Sequence, residues 1–163
     1  MEIEIRSGEP DAFSLDERRR FCELVELGGE VDTVVLQQNV DSARALVFAR
    51  DRSQLLGVAA LKRPNTIYRK KVAAKSGFDL DSDLHPFELG YVFVRENARG
   101  TGISHRLVAS ALEVADGKRA FATARTDNLG MLRTLSRAAF SQVGKDYPGR
   151  NAGTFIRLFV LNV

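Results

Sequence analysis

A strand, a pair of glycines and a helix follow in close succession between Glu88 and Ala115, in ELGYVFVRENARGTGISHRLVASALEVA. The apolar run ELGYVFVR reads as a strand. GTGISHRLVASALEVADG reads as an amphipathic helix with Ile103, Leu107, Val108, Ala111, Leu112 and Ala115 facing inward. Glycine is costly in regular structure, so Gly100 and Gly102 at such a junction need a reason. A strand that feeds a helix in this way constrains the chain to combine a sheet with covering helices.

The flanking segments agree. MEIEIRS alternates and reads as a strand. SLDERRRFCELVELGG opens on a Ser14 cap and early acids, with Phe21, Leu24, Val25 and Leu27 on one stripe, so it reads as a helix. VDTVVLQQNV is read as a short second helix. RALVFAR and QLLGVAALKR make a hairpin around DRS. TIYRKKVAAKSG is a short helix closed by Gly77, and DLDSDLHPF a loop. RAFATART is a strand and NLGMLRTLSRAAF a helix. SQVGKDY and TFIRLFVLN form a last strand pair around a Pro148-Gly149 turn. The sum is a mixed α/β fold with helices on both faces of its sheet.

The 163 residues suit a single domain over 1–163, long enough to bury a sizeable core. One cysteine, Cys22, allows no intrachain disulfide. The first residues lack the basic start and apolar block of a signal peptide, and no apolar run approaches the ~20 residues of a membrane helix. A cytoplasmic protein without membrane association is expected. The net charge of +3 does not by itself imply nucleic acid. Positive charge gathers in KRPNTIYRKK, and negative charge in DLDSD soon after.

Three phosphate-binding patterns can be tried on the glycines. A P-loop needs G-x-x-x-x-G-K-[ST], and nothing fits. A dinucleotide fingerprint needs a third glycine where His105 stands. The third is a helix start that offers backbone amides and a partial positive charge to an anion, which glycines let approach closely. Against these stands a plain turn requiring positive φ. The glycines alone do not separate the cradle from the turn.

The flanks do. Arg99-Gly100-Thr101-Gly102-Ile103-Ser104, set between a strand and a helix, resembles the acetyl-CoA-binding motif [RQ]-x-x-G-x-[GA] of the GNAT superfamily of N-acetyltransferases, with Ser in the last place. TDNLGMLRTLSRAAF resembles the second family signature, with Asn128 and Phe140 at matching places. The resemblance implies a central, mostly antiparallel sheet, splayed at a bulge to form a wedge that admits the cofactor. It implies that Arg99, Gly100, Thr101, Gly102, Ile103 and Ser104 hold the pyrophosphate of acetyl-CoA through backbone amides. Phe93 and Val94 would bind pantetheine through their main chain, and Asn128 would help hold that arm. The plain reading of Asn128 is a helix N-cap, and both can be true.

Transfer to an amine needs a base, because the amine attacks only when neutral. Glu88 is the first candidate. It lies eleven positions before Arg99, the offset at which histone-acetylating members carry their catalytic glutamate by resemblance. The plain reading of Glu88 is a solvated carboxylate at a strand start. His85 in LHPF is a second candidate. The acid that the resemblance implies is a tyrosine seven residues after Asn128, where this chain has Leu135. Ser136, a water or no group at all would then serve, and Tyr147 cannot be placed. The basic insert 62–75 borders the acceptor side. Its lysines and arginines with Tyr68 could bind phosphate and stack a base. Its plain reading is a solvated helix with Ile67, Val72 and Ala73 inward. DLDSDLHPFELG starts like a calcium loop but lacks Gly at the sixth place and Glu at the twelfth, so no metal is expected.

The expectation is therefore an acetyl-CoA-dependent N-acetyltransferase acting on a primary amine of an unidentified acceptor. The alternative is a GNAT-like domain that binds acyl-CoA or nucleic acid without acetylating an amine, or that acylates a nucleic acid. A nucleic-acid partner is open but not favoured. Members of the family dimerise, so a homodimer is open too, although no stretch shows an interface.

Overall fold

The computed structural model describes residues 2–115, 117 and 119–162. The elements in chain order are β1 (Ile3–Gly8), α1 (Leu15–Leu27), α2 (Thr33–Asp41), β2 (Ala45–Asp51), β3 (Gln54–Lys62), α3 (Thr66–Ser76), β4 (Phe87–Val94), α4 (Ile103–Glu113), β5 (Ala120–Arg125), α5 (Leu129–Arg137), β6 (Phe140–Pro148) and β7 (Phe155–Leu161). Short 3₁₀ turns cover Pro10–Ala12 and Glu96–Ala98. Among the described residues the strands form a seven-stranded sheet in the order β1-β2-β3-β4-β5-β7-β6. β1 with β2, β2 with β3, β5 with β7 and β7 with β6 pair antiparallel, and β4 with β5 parallel. No helix among them is long and apolar enough to cross a membrane.

The chain divides into two compact units, Met1–Arg63 with Leu89–Asp116, and Pro64–Glu88 with Gly117–Val163. In the first unit β2 and β3 are buried almost throughout, because helices cover them on both sides. Leu46, Phe48, Val58 and Ala60 pack with Phe21 and Leu24 of α1 and Leu36 of α2. Gly57 points to the opposite face, where a Cβ would stand 3.1 Å from Leu107 of α4. Ser14 caps α1 in a reciprocal box: its Oγ accepts from Glu17 N, and its own N donates to Glu17 Oε1, both at 3.1 Å. The inner stripe of α1 carries Cys22 in place of Leu27, which is 66% exposed at the last turn. α4 buries Ile103, Leu107, Val108 and Ala111 as expected, while Leu112 is half-buried. The expected helix ran on to Asp116, which lies outside the described residues.

In the second unit β5 pairs with β7 and β7 with β6. The first two residues of β4 pair in parallel with β5, as Phe87↔Ala120 and Glu88↔Phe121. α3 lays Val72 over Phe121, Leu158 and Val160. Its inner face matches the expected one at Val72, which is buried, and at Ala73, which packs on the same cluster, but Ile67 is 82% exposed. Arg69 and Ser76 are buried as well, with Tyr68 packed beside them. Tyr68, Val72 and Ser76 recur every fourth residue, so a helix that buries one buries all three. α5 stops at Arg137, before the expected Phe140, which instead opens β6. Between them Ala139 takes φ 67, a left-handed value that disfavours any residue with a Cβ. β6 carries a bulge. Val143 faces Leu158 and Tyr147 faces Ile156, so four steps on β6 match two on β7.

Candidate functional site

The glycine loop belongs to the first unit. Gly100 and Gly102 take φ 78 and 80, and a Cβ at either would meet nothing within 4 Å. Both are therefore turn glycines, and both face open space. Gly102 is also the N-cap of α4, so no side chain at that position caps the helix start. An uncapped helix N-terminus beside bare backbone is an arrangement that binds anions. The other side chains brace the loop. Arg99 Nε donates to Val94 O at 3.0 Å, and its guanidinium lies 5.6 Å from the Phe93 ring. Thr101 Oγ1 donates to Ala98 O at 2.6 Å, and Ile103 is buried under the first turn.

The strand leading to this loop is kinked. Tyr91 takes φ 53, two residues before Phe93, where a β residue would be extended. Three contacts hold it there. Asn39 Nδ2 donates to Tyr91 Oη at 3.0 Å, Lys62 Nζ sits 4.2 Å from the ring centroid, and Phe21 meets it edge-on. Such a conformation costs about 1–3 kcal/mol and persists where the surroundings over-determine it. Phe93 and Val94 beyond it are half-buried.

Glu88 belongs to the second unit and is not solvated: it is 3% exposed. Tyr68 of α3 donates its hydroxyl to Glu88 Oε2 at 2.6 Å. Burial, then the charge and the hydrogen bond of Glu88, push the Tyr68 phenol well above its ordinary value. Tyr147 is pushed up to about 12 by burial and then by the charge of Glu88. Two phenols that stay protonated at neutral pH thus attend one carboxylate. Arg69 adds the cation, with burial lowering its pKa and the charges of Glu88 and Asp81 opposing that. Its guanidinium donates to His85 O at 2.6 Å and to the carbonyls of Leu80 and Pro86 at 3.3 Å. It ties the acidic loop to α3 and is withdrawn from any phosphate at the surface. The exposed charges of this helix are Lys70, Lys71 and Lys75.

The remaining candidates also fall in the second unit. Asn128 caps α5, its Oδ1 accepting from Met131 N at 3.1 Å. Leu135 is a fully buried core residue, and Ser136 is exposed. His85 is buried against Phe78, and its Nδ1 has no hydrogen-bond partner among the described residues. Burial, then Arg119 and Arg69, lower its pKa, with Asp81 and Asp79 opposing. Asp81 is engaged in its own turn, accepting from Asp83 N at 2.7 Å. Sequence reasoning offered Tyr68 as a base stacker beside a plain solvated-helix reading, and could not place Tyr147. The four-residue recurrence of Tyr68, Val72 and Ser76 was a signal for the first. The bulge that sets the facing of Tyr147 left none.

A family model described as "Acetyltransferase (GNAT) family" matches residues 11–140. The chain belongs to the GNAT acetyltransferase family. Solved structures share its fold at low identity. Escherichia coli ElaA is 16% identical with a TM-score of 0.68, covering 99% of this chain and 100% of its own. Salmonella typhimurium yncA, solved with its cofactor acetyl-CoA, is 14% identical with a TM-score of 0.68, covering 99% and 94%. A chain of the NatC complex bound to Gag peptide and CoA is 16% identical with a TM-score of 0.72, covering 100% and 99%. No curated protein sequence matches the chain. Within this GNAT chain the family motif falls on the glycine loop of the first unit, and the second signature on α5 and Phe140.

Proposed function

We propose that the chain transfers an acetyl group from acetyl-CoA to a primary amine, with residues 1–163 acting as one acetyltransferase domain. One observation carries the proposal. Gly100 and Gly102 are both left-handed, both face open space and stand at an α4 start that Gly102 cannot cap. A pyrophosphate fits there, since a side chain at either position would occupy the space it needs. The acetyl-CoA of yncA and the CoA of the NatC complex support the choice of cofactor.

When bound, the cofactor supplies an acyl group activated as a thioester. The backbone of Arg99–Ser104 would hold its phosphates, and the main chain of Phe93 and Val94 would bind the pantetheine arm. Asn128, whose Oδ1 is committed to the α5 cap, would use its amide NH₂ toward that arm. Glu88 accepts the proton that the acceptor amine sheds. Such an amine has a pKa near ~10.4 and is mostly charged at neutral pH, so a positioned base contributes about 10²–10⁴-fold. Leu135 provides no acid at the position that the family resemblance indicates.

The test is thiol release from acetyl-CoA over an amine panel, with the acetylated product identified by mass spectrometry. Thiol release matched by product is expected. Binding of acetyl-CoA without transfer to any amine would favour the non-catalytic reading that Leu135 supports. Tyr68 and Arg69 face inward, which takes two residues from the nucleic-acid reading of the insert.

A further inference from the structure

We infer that α3, the insert between β3 and β4, serves the reaction through Tyr68, which positions the Glu88 carboxylate by a hydrogen bond. The inference rests on the acetyltransfer reading. The geometry is a 2.6 Å hydrogen bond from a phenol to Oε2 of a carboxylate that is itself buried. Charge-assisted O–H···O⁻ bonds fall in this range and are about twice as strong as neutral ones.

The helix is built to keep the phenol in place. Asn65 caps α3 by accepting from the backbone N of Tyr68 itself, at 2.8 Å. Arg69, the next residue, locks the same turn to the carbonyls of Leu80, His85 and Pro86. Tyr68 is thus fixed from its own backbone and from its neighbour, and its hydroxyl reaches one oxygen of Glu88. Among the groups that act on or respond to Glu88 are Tyr68 and Arg69 from α3 and Tyr147 from β6. A phenol that remains protonated donates in one direction only, so Glu88 Oε2 is held as an acceptor. The proton taken from the amine then goes to the carboxylate, and Tyr68 keeps its own. Tyr68 is a positioning residue, since it acts through Glu88. This role replaces the surface-stacking role that the basic composition of the insert suggested.

Two measurements test it. The first needs no activity. Tyrosine ring-carbon NMR titration follows the three phenols of the chain, with the Tyr68 signal assigned by its loss in Tyr68→Phe. Glu88→Gln is expected to bring the Tyr68 midpoint down, because it removes a charge and an ionic hydrogen bond. An unmoved midpoint would overturn the pair. The second is kcat and KM for thiol release by wild type and Tyr68→Phe, each confirmed folded by its melting temperature. Tyr68→Phe is expected to lower kcat about tenfold, the order of one charge-assisted hydrogen bond. Its KM for acetyl-CoA should stay unchanged. Equal turnover in Tyr68→Phe would overturn the role of Tyr68 and leave acetyltransfer standing. A wild type that acetylates no amine would overturn acetyltransfer and this role with it.

Discussion

The glycine loop and the glutamate cluster are built on opposite plans. The loop is one contiguous stretch, Val94 to Ser104. Arg99 bonds to Val94 and Thr101 to Ala98 within it, and Arg95 ties its start to the carbonyls of Leu55 and Leu56 on β3. Its side chains brace the backbone, and the backbone is left to act. The cluster gathers Tyr68, Arg69, Glu88 and Tyr147 from α3, β4 and β6, across 79 positions of sequence from Tyr68 to Tyr147. There the side chains carry the contacts and the backbone only delivers them. On the proposed reading, binding of phosphate would be the property of a segment, and handling of a proton the property of the fold.

That contrast breaks most visibly at Glu88. Glu88→Gln should lower kcat at least about a hundredfold, within the range for loss of a general base, while leaving affinity for acetyl-CoA alone. Steady-state thiol release measures the loss, and equal turnover would remove Glu88 as the base. Next in size is the loop. Gly102→Glu puts a carboxylate and a Cβ where phosphate and a left-handed backbone are needed, so calorimetry should show acetyl-CoA affinity down about tenfold or more. Affinity equal to wild type would mean that the glycines only turn the chain.

Two smaller effects concern stability. Ala139 takes φ 67 at the end of α5, just before Phe140. A left-handed Cβ costs about 1–2 kcal/mol, and glycine gives back about 0.4–1 kcal/mol as unfolded-state entropy. Ala139→Gly should therefore raise the melting temperature by roughly 1–4 °C, and a fall would show that Ala139 is not strained. His85 is the last. Its folded pKa is lowered, so below its ordinary value the unfolded chain binds more protons than the folded one. The stabilisation is complete above about pH 6.5 and is lost as the pH falls below it. His85→Gln should flatten the pH dependence of urea midpoints between about pH 6.5 and 5. An equal slope in the variant would place the dependence elsewhere.

The same contrast explains what could be read in advance. The strand–glycine–helix run, the Ser14 box and the alternating strands are local patterns, and each element stands within a few residues of its expected place. Glu88 and Asn128 were singled out by their offsets from motifs; the structure buries the first and makes the second a helix cap. The facing of α3 was read correctly at Val72 and Ala73 but not at Ile67, because the Tyr68–Val72–Ser76 spacing was given too little weight. Tyr147 was out of reach, because a bulge with two extra residues sets which way β6 turns, and register slips leave little trace in composition. The left-handed conformation of Tyr91 in β4 was not foreseen, since it depends on Asn39, Lys62 and Phe21 from three other elements.

The central claim is that the loop binds and Glu88 reacts, as separable tasks. Acetyl-CoA calorimetry on Glu88→Gln, at protein concentrations where the same sample releases thiol at least about a hundredfold more slowly than wild type, tests it most directly. The account predicts an affinity within about twofold of wild type, a difference near 0.4 kcal/mol. Loss of acetyl-CoA binding in that variant would contradict it, by showing that Glu88 supports the site's structure and not its chemistry.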